Sequence, residues 1–282
     1  MKTIRANGVE FAYLEQGTGP LVVLLHGFPD TAHTWAPTMA ALAAAGYRAV
    51  APFMRGYYPT SIPEDGTYDS DTLGRDALAL IEALGGPAIL VGHDWGASAA
   101  YSAAGLGPAQ LRLLVTLAIP HPRVIVPTPR LLWAVRHFAA LRRKSAPAKI
   151  RAGNFAYIDE LWRRWSPAWT AVPASETAEV KACFAHPGVL EAACGYYRAL
   201  SPILPPGQRV GITVPTVAFA GEHDGLMVPR IYEKARHNFK RSYEVIQVPG
   251  GHFMHREHPE VFIPELVKVL ESHEARVAAS AL

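Results

Sequence analysis

The sequence predicts an α/β domain built on a doubly wound, mostly parallel sheet. Three observations carry this. Short apolar runs alternate with helical stripes along most of the chain. The apolar runs are continuous rather than alternating, as in Leu21-Val22-Val23-Leu24-Leu25, which suggests burial on both faces. Half of the 282 residues are hydrophobic and 18% are charged, enough to bury a sizeable core in one large domain or two small ones.

The elements follow in order. Thr3 to Val9 and Glu10 to Glu15 read as two strands turning at Asn7-Gly8, a strong hairpin signal. Gly17 to Pro20 is a turn before the strand Leu21 to Leu25. Met39 to Ala45 is helical and stops at Gly46, and Tyr47 to Pro52 is the next strand. Leu73, Ala77, Leu80, Ile81 and Leu84 form a helical stripe over Asp71 to Leu84, ending at Gly85-Gly86. Ala88 to Val91 is a buried strand, Ala97 to Ala104 a helix, and Leu111 to Ile119 another strand. The rhythm then breaks. From about His121 to Ser201 the chain is rich in Trp, Arg and Pro and reads as short helices: Leu131 to Arg143, Tyr157 to Trp165 and Ser175 to His186. Pro202 to Gly211 is a linker. Strand Val214 to Ala220, helix Pro229 to Phe239, strand Tyr243 to Val248 and helix Pro259 to His273 complete the alternation, and the small-residue tail Ala275 to Leu282 is expected to fray. The predicted organisation is a core of residues 1–120 and 202–282 with a helical insertion, residues 121–201. Because the insertion follows a strand, it is expected over the carboxyl edge of the sheet, as a lid.

The charge is +3, which gives no reason to expect nucleic acid or an acidic polymer as partner. The basic group Arg136, Arg142, Arg143, Lys144, Lys149 and Arg151 reads as a solvated helix face. Cys183 and Cys194 make no disulfide framework. The stretch Met1 to Gly17 lacks the apolar core of a signal peptide, and no apolar run is long enough to span a bilayer. A cytoplasmic location is therefore expected, with no membrane partner and no cofactor; a homodimer is left open.

One stretch carries the chemistry. In Gly92-His93-Asp94-Trp95-Gly96-Ala97 a strand meets a helix through a Gly-flanked turn, the setting of a nucleophile elbow that normally holds serine. Asp94 takes that place. A carboxylate is anionic at neutral pH without a base and suits attack on a saturated carbon, leaving an ester on the enzyme. Two more strand-end loops follow: Ala220-Gly221-Glu222-His223-Asp224 offers Asp224, and Pro249-Gly250-Gly251-His252-Phe253 offers His252. Singly, an Asp after a strand is most often a cap and a lone His structural. Together, in the order nucleophile, acid, histidine, they are hard to explain structurally. His26 and His93 read as structural. His252, His255 and His258, three apart, read as loop residues rather than a metal site, since no Cys or acid completes a ligand pattern.

Over essentially its whole length the chain resembles the α/β-hydrolase superfamily, and more narrowly its epoxide hydrolase and haloalkane dehalogenase branch. His26-Gly27-Phe28-Pro29-Asp30, Arg55-Gly56-Tyr57, the Asp94 elbow, Gly195-Tyr196-Tyr197-Arg198 and Gly251-His252 carry the resemblance. It implies an α/β-hydrolase fold with an inserted helical cap. It further implies Asp94 as nucleophile, His252 as the base that activates water, Asp224 as its orienter, and the Phe28 and Trp95 backbone N–H groups as the oxyanion hole. Pro29 would follow a cis peptide.

Opening an epoxide releases an alkoxide and needs an acid over the nucleophile; expelling a halide needs only weak N–H donors. Tyr197 resembles a ring-opening tyrosine of epoxide hydrolases. The usual partner tyrosine is missing from Arg130 to Phe138, and the residues leave His137 and Tyr157 open as substitutes. Lid aromatics, Trp133, Phe138 and Tyr157, give the expectation of an apolar pocket for a small apolar epoxide or halide. As a dehalogenase the chain could use the Trp95 indole, but Phe28 has no donor where many relatives carry Asn; a lid Trp (Trp133, Trp162, Trp165 or Trp169) would have to substitute. A fluoroacetate dehalogenase would need arginines where Trp95 and Ser98 stand. A receptor-like binding protein on the same fold would bind a small molecule without turnover.

Overall fold

The computed structural model describes residues 1–280; Ala281 and Leu282, the end of the tail expected to fray, lie outside the described residues. Strands β1 (Lys2–Ala6), β2 (Val9–Gln16), β3 (Leu21–Leu25), β4 (Arg48–Pro52), β5 (Ala88–His93), β6 (Leu111–Leu117), β7 (Thr216–Gly221) and β8 (Tyr243–Val248) form one sheet in the order β1-β2-β4-β3-β5-β6-β7-β8. β1 and β2 join antiparallel through Asn7 and Gly8, both at positive φ, and β2 runs antiparallel to β4. Every pairing from β4 to β8 is parallel. The continuous apolar strands sit at the centre: all of β3 and β5 is buried.

Core helices α1 (Ala36–Ala44), α2 (Ser70–Ala83) and α3 (Trp95–Leu106) flank the sheet. Asp69 caps α2, its side chain accepting from the Asp71 and Thr72 N–H groups. Between β6 and β7 run α4 (Pro129–Ala134), α5 (His137–Leu141), α6 (Ala146–Trp165), α7 (Ala174–Ala185) and α8 (Val189–Arg198), none contributing a strand. After them come α9 (Pro206–Arg209), α10 (Arg230–Lys234), α11 (Met254–Glu257) and α12 (Pro259–Ser280). α2 packs on α3, while α12 packs on α1, which gives the sheet two helical faces. Among the described residues no helix is long and apolar enough to cross a membrane.

The structure departs from the expected elements mainly in the insertion. The single helix expected over Leu131 to Arg143 is two, α4 and α5, broken at Val135-Arg136. α6 starts earlier than Tyr157 and is interrupted at Ala152 to Phe155, where Gly153, Asn154 and Phe155 all take positive φ. Gly and Asn tolerate that conformation, so a local break survives inside a helical pattern. α8 is a helix although its sequence gave only a motif. The expected linker Pro202 to Gly211 contains α9, which docks on α3, and the expected helix Pro229 to Phe239 shortens to α10 followed by a 3-10 turn. The expected terminal helix does not stop at His273: α12 runs on to Ser280.

Candidate active site

The turn from β5 into α3 places Asp94 at φ 52°, ψ −116°, a conformation an L residue adopts only when its surroundings enforce it. The flanking glycines allow it. A Cβ on Gly96 would stand 2.4 Å from the Leu25 carbonyl oxygen, so the helix start could not lie so close to β3. The Asp94 side chain is thereby presented at the carboxyl edge of the sheet. One carboxylate oxygen, Oδ1, accepts from the Phe28 backbone N–H at 2.9 Å. The other, Oδ2, lies 3.3 Å from His252 Nε2. Behind it, His252 Nδ1 lies 3.1 Å from Asp224 Oδ2. Asp224 is itself oriented, its Oδ1 accepting from the N–H groups of Leu226 at 2.6 Å and Met227 at 3.1 Å. The Phe28–Pro29 peptide is cis.

The electrostatics follow from this packing. Burial alone would drive the His252 imidazole down, but the Asp224 and Asp94 carboxylates outweigh it and hold its pKa up to about 9. Burial would raise Asp94, but His252 more than compensates and keeps its carboxyl below the ordinary range. The resting pair is therefore carboxylate and imidazolium at neutral pH.

α8 covers the pair. Tyr196 and Tyr197 divide the work there. The Tyr196 hydroxyl donates to the Arg55 carbonyl at 2.8 Å, tying α8 to the loop after β4. That loop is rigid in turn, because buried Arg55 makes a two-point ion pair with Asp76 at 2.7 and 2.8 Å. Tyr197, buried, meets the rings of Phe28 and Trp95 edge-on at 5.2 and 5.3 Å. Burial and the Asp94 charge both push its phenol well above the ordinary tyrosine range, with a side-chain hydrogen bond to Trp95 opposing them.

The remaining pocket candidates separate. His137 is buried with its ring 4.6 Å from Trp165 and 5.8 Å from Tyr197, and its Nδ1 has no hydrogen-bond partner. Burial, with the Arg164 guanidinium nearby, takes its pKa down to about 3, so it is neutral. Tyr157 is buried under Lys149, whose Nζ sits 4.4 Å over its ring. Trp133 corrects the expectation of a pocket wall: it is 70% exposed and carries the Arg136 guanidinium 4.3 Å above its ring. A cavity of about 330 Å³ opens from Asp94 and Trp95. Its walls are mainly apolar, among them Ile125, Leu131, Phe138 and Ile203, with Ser70, Ser98 and Gln208 supplying a polar strip.

Sequence reasoning missed one part of the site. The Trp165 carbonyl at the end of α6 accepts from both Gly225 N–H and His252 N–H, each at 3.0 Å, and Ser166 Oγ accepts from Phe253 N–H. The insertion thus holds the loops that carry Asp224 and His252. Backbone acceptors leave no mark in a sequence. Of the other histidines, His26 binds loop backbone, with Gly27 O and Met54 N at 3.0 and 2.9 Å, and His93 binds the His252 carbonyl. His255 corrects its loop assignment: it lies buried in α11 on Thr34, while His258 pairs with Glu260, so neither converges on His252.

Residues 20–259 match the family model for the α/β hydrolase fold. The chain belongs to that family. It is 28% identical to the AB hydrolase superfamily protein YfhM of Bacillus subtilis, over 95% of this chain and 97% of that protein. It is 45% identical to an epoxide hydrolase of Caballeronia sordidicola, but over 42% of this chain and 36% of that protein, so the aligned stretch is about a third of that relative's length. Among solved structures, epoxide hydrolase VrEH1 from Vigna radiata superposes with a TM-score of 0.78 at 26% identity, covering 96% of this chain and 97% of that one. The Bacillus megaterium epoxide hydrolase shares the fold, with a TM-score of 0.84 at 23% identity over 97% of this chain and 100% of that one. The chain is thus an epoxide hydrolase-like hydrolase of the α/β-hydrolase family.

Proposed function

We propose that the chain opens small, largely apolar epoxides to diols through an ester on Asp94. The observation that carries this reading is the Asp94 carboxylate itself, with Oδ1 on the Phe28 N–H and Oδ2 beside His252. The free lone pairs of Oδ2 attack an epoxide carbon. The carbon–oxygen bond breaks and the leaving alkoxide takes the Tyr197 phenolic proton. Esterification removes the negative charge from Asp94, which weakens the hold on the His252 proton. The imidazolium proton passes to the Tyr197 phenolate left by ring opening, and neutral His252 then takes a proton from water as the water oxygen adds to Asp94 Cγ. The Phe28 and Trp95 N–H groups support the oxyanion. Collapse breaks the ester Cγ–O bond, the leaving diol oxygen takes the proton of the added hydroxyl, and the Asp94 carboxylate and His252 imidazolium are restored.

Two features favour an epoxide over a halide. Tyr197 packs edge-on against the Trp95 ring at 5.3 Å, which sets an acid beside the nucleophile, and Phe28 brings no side-chain donor. His137, neutral, packed against Tyr197 and with its Nδ1 unpartnered, is the better second donor. The insertion acts as a lid, residues 121–201 over a core of 1–120 and 202–282.

The test is a His252→Gln variant incubated with an aryl epoxide and, separately, a bromoalkane, followed by intact mass and peptide mapping. A stable adduct on Asp94 from the epoxide is expected. An adduct from the bromoalkane alone would move the chain to the dehalogenases. No adduct from an epoxide that the unaltered protein hydrolyses would reject the ester mechanism, and binding without turnover would make it a receptor.

A further inference from the structure

The rim of the cavity is unlike the rest of the surface. Residues 121–158 carry eight Lys or Arg and no Asp or Glu, although the whole chain is only +3, so the remainder is net negative. Among the described residues none of those eight cations forms a salt bridge with a carboxylate. Several stand at the mouth. Arg123 lies between the cavity-lining Pro122 and Ile125, exposed Arg130 precedes lining Leu131, and Arg142 donates to the carbonyl of lining Leu200 at 3.1 Å. Set among them are large apolar side chains turned to solvent: Val126 66%, Leu132 59%, Trp133 70% and Ile203 71% exposed. Exposed apolar side chains clustered with basic ones mark an interaction surface rather than scattered surface residues.

We propose that this rim docks on the surface of an anionic lipid bilayer, with Trp133, Leu132, Val126 and Ile203 entering the headgroup region and the arginines and lysines meeting lipid phosphates and carboxylates. A basic amphipathic face with Trp and Leu on it is built for that depth, and each nearby cation strengthens attachment. The mouth of the cavity then opens toward the acyl layer, where apolar substrates concentrate. The attachment is peripheral. It replaces the solvated-face reading of the same basic residues, which the sequence could not distinguish because it does not show that Trp133 is exposed. It stands apart from the Asp94 chemistry, since binding to vesicles is measured without turnover.

The test is co-sedimentation with vesicles of phosphatidylcholine containing about 30% phosphatidylserine, and with phosphatidylcholine alone. Binding to the anionic vesicles, falling steeply with salt, is expected. Arg130→Gln with Arg143→Gln and Lys144→Gln should weaken it roughly a hundredfold. Trp133→Ala should weaken it about tenfold, with kcat/KM on a water-soluble epoxide unchanged in both variants. Equal binding to both vesicle types, no binding, or binding undiminished in the variants overturns the proposal. So does a concentration-dependent dimer that disappears in Trp133→Ala, which would assign the rim to a second copy of the chain.

Discussion

Replacing Asp94 with Asn keeps its shape and removes its charge, which mimics the electrostatics of the ester. In the resting site His252 Nε2 stands 3.3 Å from the carboxylate and its pKa is held up to about 9. At an effective dielectric constant of about 20, unit charges about 4 Å apart interact by about 4 kcal/mol. At about 1.36 kcal/mol per tenfold, Asp94→Asn should cut the proton affinity of His252 by up to roughly a thousandfold. Asp224 and the backbone anchors of the His252 loop are untouched, so the change isolates one charge. The assay is a pH titration of the His252 ring resonances in the variant and the unaltered protein. A matched measurement is the pH dependence of ester hydrolysis in a single turnover, which should show a lower apparent pKa than free His252. If the His252 midpoint stays where it was in Asp94→Asn, the carboxylate does not hold the proton. The substrate would then not release its own base, and the two-step logic fails.

Other outcomes are equally specific. Tyr197→Phe should slow ester formation from an epoxide by roughly 1.5–3 kcal/mol, the usual worth of a hydrogen bond to charge, while sparing any bromoalkane reaction; equal losses in rapid-quench kinetics with both substrates would reject its leaving-group role. Gly27→Ala should abolish ester formation with the fold retained by circular dichroism, because the added Cβ would lie 2.4 Å from Asp94 Cβ and displace the carboxylate; a normal ester yield would contradict the geometry. Acid should destabilise the protein. Buried His26 and His121 fall to about 4 and His93 and His137 to about 3, so their stability is full above the unfolded pKa near 6.5 and drains as pH falls toward 4. Asp30, raised by burial to about 7, opposes this but is outnumbered, while the contribution of His252, raised to about 9, is already complete below pH 6.5. A denaturation midpoint that stays flat from pH 6.5 to 4 would show these histidines are not buried neutral.

Much of the fold was legible because it rests on signals that act locally. β3 and β8 fall on the residues their apolar runs mark, and the first hairpin turns at Asn7-Gly8. Asp94, Asp224 and His252 come together because each ends a strand of one parallel sheet, a rule that places them without knowing their side-chain directions. The insertion was legible only as an insertion. Whether Trp133 points in or out depends on how the short helix α4 packs, and Gly153 to Phe155 break α6 inside a helical pattern. That His137 lies against Tyr197 depends on how the lid helices pack, which the sequence does not fix. The Trp165 carbonyl was illegible in principle, since any residue there supplies one.

That carbonyl has a mechanical meaning. By accepting from Gly225 and His252 together, it makes the end of α6, the acid loop and the base loop one rivet. Swinging α6 away would pull on the Asp224 and His252 loops together. Amide exchange should find Gly225 and His252 among the last N–H groups to open.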